Sequence, residues 1–496
     1  MTESHPVVDT ASGRVRGLWR EIPGSQARSA AFLGIPFAQP PVGELRFAAP
    51  VPAEPWEGVR DALSFGATPQ RGDPGVTLIP EPSVPGDSTL NVNVFTPVPG
   101  DTQARLPVLV WIHGGGYIAG SPASPWYDGR SFNRDGIVTV TISYRLGFDG
   151  FGWIEDAPGN RGVRDWLLAL EWVQQNIAAF GGDPGLVTIA GQSAGGGAVL
   201  TLLGMPMAQR LFHRAYALSG ATADVAPARA EALGRDIASR LGVAPTRAGL
   251  SSVSEDRVLE AQKAASDISA PDAVSRAVAE GLALGPAIDG ELITRPTLES
   301  LAAGVGADKP LVLGATDDEF SMAVAGAART LRWIPLPMLL GKVGLKGAKR
   351  KAYLAANRDV VARGHAAVLG RFVTDGLFRT GVVKTARARG TAPTWVYEYS
   401  FRSTQPGMTQ GLSVHCIDVP FWFDCLDSLR LDSLTGPHPP QPLADATHAA
   451  AVALIVEGDP GWLAWSARPG AARVFGGPDA VTADATEAYA SVMPLL

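Results

Sequence analysis

Val187-Thr188-Ile189-Ala190-Gly191-Gln192-Ser193-Ala194-Gly195-Gly196-Gly197-Ala198-Val199-Leu200 is the stretch from which the rest of the chain is read. Its first four residues, apolar or β-branched without alternation, suit a strand covered on both faces. They run into a glycine-rich bend, after which Ala198, Val199, Leu200, Leu202 and Leu203 continue as a helix. Within the bend, Gly191-Gln192-Ser193-Ala194-Gly195 matches G-x-S-x-G. In that motif a sharp turn between strand and helix pushes the serine hydroxyl out of the sheet, and side chains beside it would collide. The pattern alone is weak: with 57 glycines in 496 residues, chance supplies about 0.3 matches. The strand before it and the helix after it are the context the motif requires. A helix starting beside Ser193 also aims free N–H groups and a positive dipole end at the hydroxyl, which favours any anion formed there.

Upstream, Val163 to Phe180 carries apolar residues at helical spacing (Leu167, Leu170, Val173, Ile177) and stops at Gly181-Gly182-Asp183-Pro184. Leu106–Ile112 and Ile137–Ile142 are continuous apolar or β-branched runs, the signature of central strands. The first hundred residues are dense in Pro and Gly, with short alternating runs such as Val92-Asn93-Val94-Phe95, as antiparallel strands require. Further strands are expected at 214–218, 310–313, 395–400 and 473–475. The order strand, helix, strand, turn, helix predicts an α/β fold: a large, mostly parallel sheet with helices on both faces. Two Ala-rich stretches, near 225–305 and 325–392, read as helical insertions capping one end of the sheet. With no repeat and no linker, residues 1–496 are expected to form one catalytic domain.

Composition narrows the function classes. Apolar residues make up 46% and charged ones 18%, which argues against disorder. A net charge of −6 without a basic run leaves no footprint for nucleic acid or an anionic membrane, so neither is expected as a partner. The only cysteines, Cys416 and Cys425, are too few for a disulfide framework or a zinc site. The N-terminus shows no basic and apolar leader pattern, and no run of about 18 apolar residues occurs. A soluble, cytoplasmic protein is expected.

The chemistry needs four more groups. His113-Gly114-Gly115-Gly116 follows the strand ending at Ile112. Such a loop can turn backbone N–H groups, joined by that of Ala194, toward a tetrahedral oxyanion. A serine becomes nucleophilic when a histidine takes its proton, and the histidine needs an acid to fix its tautomer. The acid should end a strand beyond Ser193; Asp317, Asp318 and Glu319 all follow the run Pro310–Gly314 and all qualify. Four histidines come later: His365, His415, His438 and His448. His415 is the better placed, after a strand and a polar, Gly-containing loop and before Val419-Pro420-Phe421-Trp422-Phe423.

At this point the residues resemble the type-B carboxylesterases, the cholinesterase-like branch of the α/β hydrolases, from about residue 10 to the region of Phe475. The likeness is carried by Phe32-Leu33-Gly34-Ile35-Pro36-Phe37-Ala38-Gln39-Pro40-Pro41, by Ser143-Tyr144-Arg145-Leu146-Gly147 and by Gly159-Asn160-Arg161-Gly162. Its most specific part is Trp172-Val173-Gln174-Gln175-Asn176-Ile177-Ala178-Ala179-Phe180-Gly181-Gly182-Asp183-Pro184. The resemblance implies the α/β-hydrolase fold, with Ser193 as nucleophile and Gly115, Gly116 and Ala194 as oxyanion donors. It selects Glu319 over its aspartate neighbours through Gly314-Ala315-Thr316-Asp317-Asp318-Glu319, and His415 as base through Gly411 to His415 with Asp418. Two departures stand out. Gln192 occupies a position where many members carry Glu, which weakens the case for choline esters, and Thr89 stands where secreted members have their first disulfide cysteine.

The expected activity is hydrolysis of small-molecule carboxylic esters through a Ser-His-Glu triad and an acyl-enzyme, without cofactor or metal. A carbamate or amide hydrolase with the same triad is the alternative, and a non-catalytic binding protein on this scaffold the remote one. Tyr117, Trp422 and Phe423 are candidate walls of an apolar pocket.

Overall fold

The strand Leu106–Ile112 explains the layering. Val108, Val110 and Ile112 enter one apolar cluster, while Leu109 and Trp111 enter another on the opposite face, and all five are fully buried. Alternate side chains of a strand point to opposite faces, so a run that is apolar throughout needs cover on both sides. Helices Arg161–Asn176 and Ala194–Leu203 supply Val163, Trp166, Leu170, Val173, Val199 and Leu202 to the first cluster. Helix Gln441–Glu457 supplies Leu443, Ala451, Leu454 and Ile455 to the second. Truncating a residue as deep as Trp111 to Ala is expected to cost about 3–5 kcal/mol.

The chain, a computed structural model, is described for residues 5–22, 24–70, 77–265 and 280–496. Among the described residues, eleven strands form the main sheet. From one edge they run Thr482–Ala485, Ala472–Phe475, Thr394–Tyr399, Leu311–Thr316, Arg214–Leu218, Gly182–Gln192, Leu106–Ile112, Val138–Ile142, Asn91–Thr96, Arg28–Pro36 and Leu18–Glu21. The seven from Ala472–Phe475 to Val138–Ile142 are parallel, and the antiparallel pairings lie at the two edges. Val7–Thr10, Gly13–Arg16 and Val59–Asp61 form a separate small sheet.

Register decides where a site can form. Ile112 pairs with Gly191, Gln192 with Leu218, Leu218 with Gly314, and Thr316 with Tyr399. The carboxyl ends of five neighbouring strands therefore finish side by side, where ligands bind in open α/β sheets. The Ala-rich stretches are largely helical where they are described. The described part of 225–305 carries helices Pro227–Leu241, Arg247–Ser251, Glu255–Ala265 and Thr297–Ala302; residues 266–279 lie outside the described residues. The stretch 325–392 is a succession of short helices ending in His365–Thr374, a π turn Asp375–Arg379 and Thr380–Ala388.

Candidate active site

Ser193 sits between strand Gly182–Gln192 and helix Ala194–Leu203 with φ 59° and ψ −122°, a conformation costing about 1–3 kcal/mol for a residue with a side chain. The surroundings enforce it. A Cβ at Gly195 would lie 2.0 Å from the carbonyl oxygen of Ile112, and one at Gly191 2.5 Å from the carbonyl carbon of Gly195. The Ser193 N–H donates to Leu218 O at 2.9 Å, tying the bend to the next strand. The serine is thereby raised from the sheet into a cavity of about 670 Å³.

The loop after Ile112 meets the same cavity. Gly115 (φ 113°) and Gly116 (φ 61°) adopt backbone that side chains disfavour. Together with Ala194, the first residue of its helix, they line the cavity beside Ser193. Among the described residues no protein group accepts from the N–H of Gly115, Gly116 or Ala194. His113 supports the loop from behind: its ring stacks on Tyr144 at 4.5 Å and its Nδ1 lies 2.8 Å from Gly114 O. Burial lowers its pKa to about 4, so it stays neutral.

The three acidic candidates part company in space. Asp317 pairs with Arg379 at 3.1 Å, and Asp318 faces Arg363 at 3.5 Å and the Ser413 N–H at 3.3 Å. Glu319, fully buried, reaches the imidazole: its Oε2 bonds His415 Nδ1. Its Oε1 accepts from the Thr316 N–H at 2.8 Å, and its carbonyl accepts from the His415 N–H at 2.9 Å. The His415 ring packs against Phe320 at 4.9 Å and Phe378 at 5.0 Å, which stack on each other at 5.6 Å. Burial opposes the charged ring, but the Cys416 sulfur and the Glu319 carboxylate outweigh it and raise its pKa well above the usual 6.5. Asp418, three residues on, is pushed up to about 7 by burial and by the charge of Glu319, and accepts from the Tyr397 hydroxyl at 3.0 Å. The remaining histidines lie elsewhere: His365 contacts Leu331 O, His448 bridges Trp422 O and Asp135, and His438 is exposed.

Ser193, His415, Gly115, Gly116 and Ala194 thus share one cavity wall. No hydrogen bond joins the Ser193 hydroxyl to His415 among the described residues. The Nε2 of His415 faces instead the carboxamide Nε2 of Gln192, 3.1 Å away and itself buried.

The expected aromatic walls need correction. Tyr117, which follows the Gly114–Gly116 run, is fully buried, its ring 5.1 Å from Phe151 and 6.1 Å from Trp166. Trp422 and Phe423 are buried on the other face of the sheet, 5.2 and 4.8 Å from Trp111. Their apolar run follows His415 in sequence, but a short helix, Val419–Trp422, turns it down into the core. The cavity is walled instead by Phe320, Val373, Leu377, Phe378 and, from helix Thr297–Ala302, Leu298. Phe320 adjoins Glu319 and was within reach of sequence reasoning; Phe378 depends on the π turn, which no spacing signals.

The segment bearing Phe378 is pinned from below. Arg379, buried, donates to Asp317 at 3.1 Å and Glu398 at 2.8 Å, pairs with Asp375 at 3.1 Å and lies 4.6 Å over the Tyr489 ring. Burial drives the Glu398 carboxyl up to about 8, with Arg379 opposing and Asp317 reinforcing the rise, while Asp317 is held low.

No helix among the described residues is long and apolar enough to cross a membrane. Comparison with known proteins places this arrangement. The chain is 34% identical to the para-nitrobenzyl esterase of Bacillus subtilis over 446 residues, covering 86% of this chain and 84% of that one. It is 33% identical to carboxylesterase 1D of Rattus norvegicus over 434 residues, covering 80% and 76%. The crystal structure of a carboxylesterase from Geobacillus stearothermophilus matches with a TM-score of 0.80 at 30% identity, covering 98% and 99%. The carboxylesterase family model matches residues 4–431, and the chain therefore belongs to the carboxylesterase family, carboxylic ester hydrolases on the α/β-hydrolase fold.

Proposed function

We propose that this carboxylesterase works through a Ser193-His415-Glu319 triad and an acyl-enzyme. The observation that carries the reading is the clamp of Glu319 on His415 Nδ1, on the same wall as Ser193 and three unpaired N–H groups. A carboxylate at Nδ1 fixes the neutral tautomer with its proton there and its lone pair at Nε2. His415 Nε2 takes the Ser193 proton as Oγ bonds to the ester carbonyl carbon. The charge on the carbonyl oxygen is met by Gly115, Gly116 and Ala194, in positions that cost no reorganisation at the moment of reaction. The alkoxide leaves with the proton from Nε2, and water attacks the acyl-enzyme by the same route. The hydrogen bond between Ser193 and His415 is one the reading assigns to the substrate complex, since catalytic hydrogen bonds often tighten only when substrate is bound.

The walls set the substrate class. Leu298, Val373, Leu377 and Phe378 favour apolar acyl or alkoxy groups, and about 670 Å³ is of drug-ligand size. Both cysteines are buried and outside any disulfide, which supports the cytoplasm as the site of action. The test is labelling with a fluorophosphonate, together with turnover of matched ester, carbamate and anilide substrates. Wild type is expected to label and to prefer the ester; Ser193→Ala is expected to lose both activities. Labelling that survives Ser193→Ala would overturn the triad.

A further inference from the structure

Gln192 ends the strand that delivers Ser193, its backbone in register with Leu218 of the neighbouring strand. Its side chain is 1% exposed. The carboxamide lies between two functional elements. A Cβ at Gly114 would meet its Oε1 at 2.9 Å, so the oxyanion loop leaves room for it, and its Nε2 stands 3.1 Å from His415 Nε2. With Glu319 at Nδ1, the lone pair at His415 Nε2 is the only acceptor of the neutral ring. The carboxamide of Gln192 donates to the lone pair that must receive the Ser193 proton.

We infer that Gln192 is a positioning residue for the base: it holds the imidazole lone pair in the resting site and the imidazolium proton during turnover. This rests on the reading of His415 as base. When substrate brings the Ser193 hydroxyl to Nε2, the donor yields its place. Oγ loses its proton to Nε2 as the Oγ–carbon bond forms, and Nε2–H then needs an acceptor. A half-turn of the amide about Cγ–Cδ presents Oε1 in place of the NH₂, because a carboxamide donates from one end and accepts at the other. The proton is thereby kept at Nε2 until the ester C–O bond breaks and the departing oxygen takes it. A carboxylate at this position would accept only, and would favour the charged ring throughout. The other titratable groups around the ring are Glu319, Cys416 and Asp418, and substitution at 192 leaves all three in place.

Two variants test this. Gln192→Glu places a negative charge beside Nε2 and is expected to raise the midpoint of the acid limb of kcat/KM by about one unit or more. Gln192→Leu keeps the bulk but loses both hydrogen-bonding ends. A p-nitrophenolate leaves without a proton, whereas an alkoxide needs the one on His415. Gln192→Leu is therefore expected to lose about tenfold more rate on an ethyl ester than on the p-nitrophenyl ester of the same acid. A Gln192→Glu profile that superimposes on wild type overturns the inference, and so does a Gln192→Leu loss equal for the two esters. If the glutamate variant melts early, the leucine comparison decides alone. Fluorophosphonate labelling that persists in Ser193→Ala would instead remove the triad, so failure of the two readings is distinguishable.

Discussion

Glu319→Gln changes one atom in the proposed triad, and the structure fixes how the new amide must lie. The Thr316 N–H donates to Oε1 at 2.8 Å, inside a site where Glu319 is 0% exposed and no solvent can replace that acceptor. The amide oxygen therefore stays on Thr316, and the NH₂ turns to His415 Nδ1. A donor there forces Nδ1 to accept, which moves the ring proton to Nε2, where the base needs its lone pair. A second loss adds to this. The imidazolium formed on a ring 4% exposed no longer has its counter-charge; at an effective dielectric of ~20, such a pair at ~4 Å is worth about 4 kcal/mol. At 1.36 kcal/mol per tenfold, these terms predict a fall in kcat of about 10³ to 10⁴ with KM little changed. Turnover of a p-nitrophenyl ester measures the fall, and circular dichroism melting shows that the variant folds. A folded Glu319→Gln enzyme within tenfold of wild type would refute the wiring of acid to base.

His415 must be neutral to act, and its folded pKa is raised well above 6.5, so kcat/KM is expected to fall as pH drops through a midpoint above that value; a midpoint at or below 6.5 contradicts the pairing. In the oxyanion loop, Gly115→Ala puts a Cβ 2.1 Å from the Ala119 oxygen and is expected to cost about 10² in kcat by displacing a donor. Gly116→Ala, whose Cβ comes no closer than 4.0 Å to a neighbour, bears only the cost of its positive φ and is expected to stay within a few-fold, both read from initial rates. Glu398 has a folded pKa of about 8 against 4.5 for the free side chain, so its stabilising contribution is complete below 4.5 and is lost as pH rises toward 8. Glu398→Gln imitates the protonated acid; its melting temperature is expected to match wild type near pH 5 and to exceed it by a few degrees at pH 9.

The fold was legible because its information is local. Leu106–Ile112 and Val138–Ile142 are apolar on both faces, and only a sheet with two covered faces accommodates them. The elbow was legible because the clash of side chains at 191 and 195 leaves glycine as the residue that fits. The choice among Asp317, Asp318 and Glu319 was different in kind. All three leave the same strand, and what separates them is Arg379 and Arg363 lying across the aspartates, partners 62 and 45 residues away in sequence. Resemblance to a family singled out Glu319 where spacing had no means to. The pocket walls were misread for the same reason. Hydrophobicity says that Tyr117, Trp422 and Phe423 are buried, and core or cavity is a matter of which face the segment turns to.

The division between what could and could not be read follows the architecture. The proposed nucleophile, oxyanion loop, acid and base each leave the carboxyl end of a different strand, or the loop that follows one, and the register of the parallel sheet brings those ends together. Three of the four therefore carry a local constraint: a bend, a run of glycines, an acidic turn. Much of the cavity wall comes from helices Thr297–Ala302 and His365–Thr374 and the π turn Asp375–Arg379, where any apolar residue of suitable size satisfies the packing. Chemistry and selectivity thus rest on separate parts of the chain, joined at Phe378, which faces the cavity, touches the His415 ring and is followed directly by the buried Arg379. A change of substrate that leaves the proposed base untouched can come through wall residues such as Leu298, Val373 or Leu377, whereas one made at Phe378 is expected to be felt by the base as well.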